Sequence, residues 1–339
     1  MKILYVMKSL PDSYKGSIQT HTWNLSGQMV QRGHEVFILS AGSLLRREHR
    51  TTMHGRTVIQ IPYFPGRHLP ALPKLAEEWG FNFAALDWLL ANARRFDLVH
   101  LQGRSGFLFP GRQGNVPVVN TLFGLVSIEN QRGGRVSNTD FNARLHQMWA
   151  SRWENNALLN SDRLIVVSQE MAEQLRLAGY HMGRLVPKIT QIYNGVEPAP
   201  PAGDIQTDPN LVVFLGRLER IKGIFSLVEA MKKVRPSARL VMIGDGPDRE
   251  RLQQAIAEAG LSGRVKLTGN LNSNIVYQWL HHAAFLVAPS LHESHAIAPL
   301  EAMSCGKAVI TSDISGVRES VRHGENGLLT QPNSPDELA

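Results

Sequence analysis

The stretch A-P-S-L-H-E-S-H-A-I-A-P-L-E-A-M-S-C-G-K-A-V-I, from Ala288 to Ile310, decides how this chain is read. Its start is the end of a buried strand, followed by a loop carrying Glu293. A short helix comes next, with Pro299 at the first helical position, Glu301 in the first turn and Gly306 at the exit. A second strand runs from Ala308 to Ile310. Such a unit points the helix's free N–H groups at whatever lies above the sheet, which suits an anion. Two carboxylates flank that place, and a carboxylate accepts hydrogen bonds from vicinal hydroxyls, so phosphate plus sugar is the matching ligand. The same acids also suit a helix dipole with no ligand, and this stretch alone leaves both readings open.

Outward from it, short β-rich runs alternate with helical patterns along the whole chain. Ile3–Met7, Glu35–Ser40, Thr57–Ile61, Leu98–Gln102, Val118–Leu122, Leu164–Val167 and Ile189–Tyr193 read as strands. Thr20–Gln31 and the amphipathic segment Lys74–Arg95 read as helices between them. A Pro-rich stretch, Pro198–Pro209, reads as a linker. The alternation then restarts with Leu211–Leu215, Arg239–Ile243, Val265–Thr268 and Ala284–Ala288. The expectation is an α/β chain of two doubly wound parallel-sheet domains facing a cleft: residues 1–197, a linker 198–209, and residues 210–339. Ligands of open parallel sheets bind beyond the carboxyl ends of the strands, so the loops after the strands matter most.

Two of those loops carry chemistry. Gly216-Arg217-Leu218-Glu219-Arg220-Ile221-Lys222-Gly223 places two cations, Arg217 and Lys222, around a turn where a diphosphate could be clamped. An ordinary basic surface turn is the plain alternative. Gly244-Asp245-Gly246-Pro247 is a tight strand-to-helix turn, a common tetrapeptide with little specificity of its own.

Composition narrows the classes. The chain has 339 residues, 43% of them hydrophobic and 19% charged, which suits about two globular domains. A single cysteine, Cys305, excludes an internal disulfide and a cysteine metal cluster. His281, His282, His292 and His295 lack ligand spacing, so no metal is expected. Met1-Lys2 leads straight into a strand and no apolar run approaches a membrane span, so the expected location is the cytoplasm. Charge is uneven: residues 1–200 hold 22 Lys and Arg against 14 Asp and Glu, whereas residues 201–339 hold 14 against 15. A basic first half points to an anionic partner, with Arg46, Arg47 and Arg50 beside Leu44-Leu45 as the candidate patch for an anionic membrane surface. Nucleic acid is not expected, because aromatics make up only 7% of the chain and no recognisable binding module is present.

Taken together, these residues resemble the retaining glycosyltransferases of the GT-B fold, family 4. Gly16-Ser17-Ile18-Gln19-Thr20-His21 is similar to the family's first loop, followed by Arg32-Gly33-His34-Glu35-Val36. Asp97-Leu98-Val99-His100 and Asn194-Gly195-Val196 resemble later segments of its first domain. Arg217, Lys222, Glu293 and Glu301 match the donor-site motifs at the family's spacing.

The resemblance implies transfer of a hexose-type sugar from a nucleotide-diphosphate sugar to a sugar, glycan or lipid-linked acceptor. It implies that the anomeric configuration is retained and that no metal or other cofactor is used. Arg217 and Lys222 would neutralise the diphosphate, Glu293 would lie near the transferred sugar, and Glu301 would hold the ribose. Gly16, Ser17, Gly216, Asp245, Gly246 and the run Ser294, His295, Ala296, Ile297 and Ala298 complete the implied donor site. His21, His100 and Phe123 are the candidates on the acceptor side.

There are departures. Gly16-Ser17 stands where two glycines are usual, Phe123 where a histidine is, and His295-Ala296 where Phe-Gly is. They keep a non-catalytic nucleotide-sugar or glycan-binding subunit open as the alternative, and behind it an epimerase or glycan phosphorylase of the same fold. Ser334-Pro335-Asp336-Glu337 begins like a helix five residues before the end. The C-terminal end is therefore expected to be truncated relative to the family pattern.

Overall fold

The computed structural model describes residues 1–11, 16–44, 47–66, 73–110, 116–125, 141–178 and 182–339; the side chains of 17, 73–76, 141–148, 150 and 182 lie outside the description. Contacts divide the chain into two units, Met1–Tyr193 and Asn194–Ala339.

In the first unit the described strands are β1 (Lys2–Val6), β2 (Glu35–Ala41), β3 (His49–Met53), β4 (Arg56–Ile61), β5 (Leu98–Gln102), β6 (Val118–Leu122), β7 (Arg163–Val166) and β8 (Ile189–Gln191). They lie in the order β3-β4-β2-β1-β5-β6-β7-β8. Every pairing is parallel except β3 with β4. Helices α1 (Ser17–Gln31), α2 (Pro73–Asn92), α3 (Phe141–Asn160) and α4 (Gln169–Leu177) fill the crossovers.

Alternation along β1 shows why both faces are covered. Leu4 and Val6 pack with Phe81 and Leu89 of α2, while Ile3 and Tyr5 pack on the opposite face against Trp23 and Met29 of α1. A parallel sheet buried on both faces needs such near-continuous apolar strands. Strand β3 breaks the pattern. Its turn, His54-Gly55, has φ of 49° and 77°, the positive pair that a tight hairpin requires. Its polar, mostly exposed sequence then suits a sheet edge.

In the second unit the strands are β9 (Asp208–Leu215), β10 (Arg239–Ile243), β11 (Val265–Gly269), β12 (Ala283–Ala288), β13 (Ala308–Ser312) and β14 (Gly327–Thr330), in the order β11-β10-β9-β12-β13-β14. All five pairings are parallel. Helices α5 (Ile224–Met231), α6 (Arg249–Glu258), α7 (Ser273–His282) and α8 (Ile297–Ser304) connect them. Phe214, Leu240 and Met242 pack under α5 and α6, and Leu211, Val213 and Leu286 under α7 and α8. The architecture is thus the two-domain Rossmann-like arrangement read from the sequence.

The Pro-rich segment is laid along the second unit. His281 Nε2 donates to Pro200 O at 2.7 Å, His282 Nδ1 to Gln206 O at 2.6 Å, and Lys307 Nζ to Thr207 Oγ1 at 2.8 Å. Its last residues, Asp208 and Pro209, already belong to β9, where Pro209 costs little at the start of a strand. Asn194 belongs to this unit too, its Nδ2 donating to His295 O at 3.2 Å.

Among the described residues no helix is long and apolar enough to cross a membrane. Leu45 and Arg46 of the basic patch lie outside the described residues. Arg47 is exposed, and Arg50 is paired with Glu48 at 2.7 Å.

Candidate active site

The site is built at the carboxyl ends of β9, β10 and β12. After β9 the chain turns through Gly216 and Arg217 into a single helical turn, Arg220–Lys222, then Gly223 with φ 69°. A Cβ at Gly223 would overlap the carbonyl oxygen of Pro289, so glycine is needed twice over: for the left-handed backbone and for the close approach. Leu291 N donates to Ile221 O at 2.7 Å, joining this turn to the loop after β12. Those contacts bring together the cation turn and the glutamate loop.

Lys222 Nζ donates to Glu293 Oε1 at 2.6 Å, with both side chains mostly buried. Ser290 Oγ donates to the same oxygen at 2.8 Å. Arg217 is more open and lies 3.4 Å from Glu219. Arg217 and Lys222 therefore both have carboxylate neighbours. Glu293 is fixed from the other side as well, because a Cβ at Gly316 would overlap its carbonyl oxygen.

Helix α8 begins two residues earlier than the sequence suggests. Ala296 is the N-cap, Ile297 the first helical residue and Pro299 the third. Proline fits there because the first N–H groups of a helix have no internal partner. Glu301 consequently lies in the second turn, not the first. The residue is half-buried, and burial pushes its carboxyl pKa up to about 7. Gly306 ends the helix with φ 71°, Gly306 N donating to Met303 O at 2.9 Å and Lys307 N to Ala302 O at 3.0 Å.

Near Glu301 stand Tyr277 and Cys305. Burial, then the Glu301 charge, pushes Tyr277 up to about 12, and burial also raises the Cys305 thiol. These two were not read as site residues, since neither carries a motif. His295 is buried at 6% exposure, and burial lowers its pKa below 6.5. Ser294 and Ala298 are half-buried and Ala296 and Ile297 buried in the same loop and helix start.

Gly244 and Gly246 are explained by loop packing, whereas a Cβ at Gly216 would only press on the Phe214 ring at 3.3 Å. A Cβ at Gly244 would overlap Gly216 O, and one at Gly246 would overlap Leu218 O. Asp245 is exposed and its Oδ1 accepts from Gly246 N at 2.8 Å.

In the first unit Gly16 is the N-cap of α1 and Ser17 its first residue; the side chain of Ser17 lies outside the description. His21 stands edge-on to Phe123, ring centroids 5.1 Å apart, just past the end of β6. Burial lowers His21 to about 4. His100 is inside the sheet and not at its edge, 5% exposed, with Nε2 2.8 Å from Thr121 Oγ1. Burial, then the nearby His21, lowers it to about 3, so both imidazoles are neutral near pH 7. Among the described residues no group of three or more His, Cys, Asp or Glu is placed to hold a metal ion.

Residues 18–199 match the model of Glycosyltransferase Family 4, and residues 197–339 match that of Glycosyl transferases group 1. An uncharacterised glycosyltransferase of Methanocaldococcus jannaschii is 31% identical over 345 residues, covering 100% of this chain and 86% of that one. The chain belongs to glycosyltransferase family 4. The chain is also similar to the glycogen synthase of Mycobacterium tuberculosis, 25% identical over 100% of this chain and 84% of that one. Among solved structures, sucrose-phosphate synthase from Thermosynechococcus elongatus aligns with a TM-score of 0.79 at 21% identity, covering 99% of this chain and 87% of that one. HepE of Anabaena, solved with UDP and glucose, aligns at 0.72 and 22% identity, covering 100% and 88%. These likenesses carry the GT-B fold.

Proposed function

We propose that this family member transfers a hexose from a nucleoside diphosphate sugar to an acceptor hydroxyl with retention of anomeric configuration. The observation that carries the reading is the convergence of Lys222, Glu293 and the start of α8 at the carboxyl ends of adjacent strands. Cations, a carboxylate and unpaired helix N–H groups there match a diphosphate bearing a sugar. That HepE was solved with UDP-glucose supports the same donor class.

In this reading Arg217 and Lys222 stabilise the negative charge that grows on the diphosphate as the bond to the sugar breaks. Loop and helix N–H groups from Ser294 to Ala298 hold phosphate and sugar, and Glu301 accepts hydrogen bonds from the ribose. The acceptor hydroxyl attacks from the face the leaving group departs, and the leaving phosphate takes its proton. No metal enters. The glutamates serve the donor, unlike the acid–base carboxylate pair of a glycosidase. The basic first half suits an acceptor that is anionic or presented on an anionic membrane, with His21 and Phe123 on that side.

The test is incubation with UDP-, GDP- and ADP-glucose and mannose and simple glycosides as acceptors. Release of nucleoside diphosphate, with a product whose anomeric proton coupling matches the donor, supports the reading. Sugar phosphate as product, or the inverted anomer, refutes it. Donor binding with no turnover favours a binding subunit.

A further inference from the structure

Two donors converge on one oxygen of Glu293: Lys222 Nζ at 2.6 Å and Ser290 Oγ at 2.8 Å. Among the described residues Oε2 of Glu293 receives no hydrogen bond. The two donors differ in kind. Lys222 reaches the carboxylate on a flexible four-carbon stem, and its charge is the one a diphosphate competes for. Ser290 is 3% exposed, two residues past β12, on a short side chain whose buried hydroxyl needs a fixed acceptor. The backbone on both sides is braced, by Leu291 N to Ile221 O at 2.7 Å and by the close approaches at Gly223 and Gly316. With its backbone fixed, Ser290 stays beside Glu293 Oε1 when the ammonium moves.

We propose that Ser290 is a positioning residue for sugar transfer: its hydroxyl keeps Glu293 Oε1 in place when the diphosphate engages Lys222, leaving Oε2 to accept from a hydroxyl of the transferred sugar. This rests on the donor-site reading above. Before donor arrives, Lys222 and Ser290 share the carboxylate; afterwards Ser290 alone holds it. Its removal therefore affects recognition of the sugar and spares recognition of the diphosphate.

The experiment titrates UDP, GDP and ADP, and their glucose and mannose esters, into the wild-type protein by calorimetry. The tightest diphosphate and its tightest ester are then carried to Ser290→Ala, Glu293→Ala and the double variant, with melting temperatures confirming that each is folded. Ser290→Ala is expected to hold diphosphate affinity within about twofold and to lose about tenfold in ester affinity, which is ~1.4 kcal/mol. In the Glu293→Ala background the same substitution is expected to change ester affinity less than about twofold, because a residue acting through another adds nothing once that partner is gone. Equal weakening of diphosphate and ester, an equal loss in both backgrounds, or no loss at all would overturn the positioning role. Failure of the wild-type protein to bind any of the nucleotides would instead refute the donor site itself, and this proposal with it.

Discussion

Raising the pH from 6 to 8 should tighten binding of a nucleoside diphosphate sugar about tenfold, and Glu301 should be the cause. Its carboxyl, pushed by burial up to about 7, is protonated in most molecules at pH 6 and ionised in most at pH 8. If ribose hydroxyls donate to the carboxylate, only the ionised form binds well. The ionised fraction rises from about a tenth to about nine tenths over that interval, hence the tenfold gain, worth ~1.4 kcal/mol. Neighbouring groups do not imitate the effect. Tyr277 is pushed up to about 12 and Cys305 is raised, so neither ionises in the window. His295 is lowered, and its protonation would act in the opposite direction by favouring an anion at low pH. The sugar ester is the right probe because its diphosphate keeps both charges throughout, whereas a free nucleoside diphosphate titrates in the same range.

The same group sets a stability trend with a definite sign. The folded carboxyl binds its proton more tightly than the unfolded one, whose ordinary value is 4.5. Below pH 4.5 both states hold the proton and nothing is lost. As the pH climbs to about 7 the folded state loses ground, and the cost is complete above that, with a ceiling of about 3 kcal/mol. Glu301→Gln should therefore bind donor weakly at every pH with a flat profile. It should be more stable than wild type at pH 8 and equally stable at pH 4. Isothermal titration across pH 6 to 8 and urea melts at the two extremes measure both. A flat wild-type profile, or an unchanged slope in Glu301→Gln, would refute the assignment of this carboxyl to the donor.

Arg217→Ala and Lys222→Ala should each lower transfer about 10²–10³-fold, as removal of an oxyanion donor does. Both should stay folded by circular dichroism, with Lys222→Ala melting lower because it leaves Glu293 without its cation; near-normal turnover in both would remove the diphosphate role. Gly223→Ala forces a side chain onto Pro289 O at φ 69° and should cost at least ~2 kcal/mol in urea unfolding, whereas a neutral result would contradict the bracing of the two loops. If the basic first half docks on membranes, binding to vesicles containing anionic lipid should fall steeply as salt rises from about 0.05 to 0.5 M, with none to neutral vesicles. Equal binding to both would show that charge is not what recruits the chain.

What the sequence made legible follows from how each element is buried. The parallel strands were readable because both faces are covered and the strand must be apolar throughout, as in Lys2–Val6 and Arg239–Ile243. Strand His49–Met53 was not, because an edge strand is stabilised by its hairpin turn and carries little apolar pattern. Helix Phe141–Asn160 was not read either, as its polar and apolar residues hardly separate into faces. The start of α8 was placed two residues late because proline is tolerated anywhere in the first turn, so Pro299 marks the turn without marking its first residue. The site shows the deeper limit. Arg217, Lys222 and Glu293 were named from loops that follow strands and Glu301 from a helix start, yet nothing local says which loops touch. That is set by strand order: β9 lies between β10 and β12, so the turn after β9 meets the loop after β12 across 71 residues of chain. Read alone, Lys222 is a free cation awaiting an anion. In the fold it already holds one, Glu293, and any diphosphate that binds must displace or share that partner. If a diphosphate engages Lys222, its affinity is therefore a difference between two ion pairs and not the full strength of the new one.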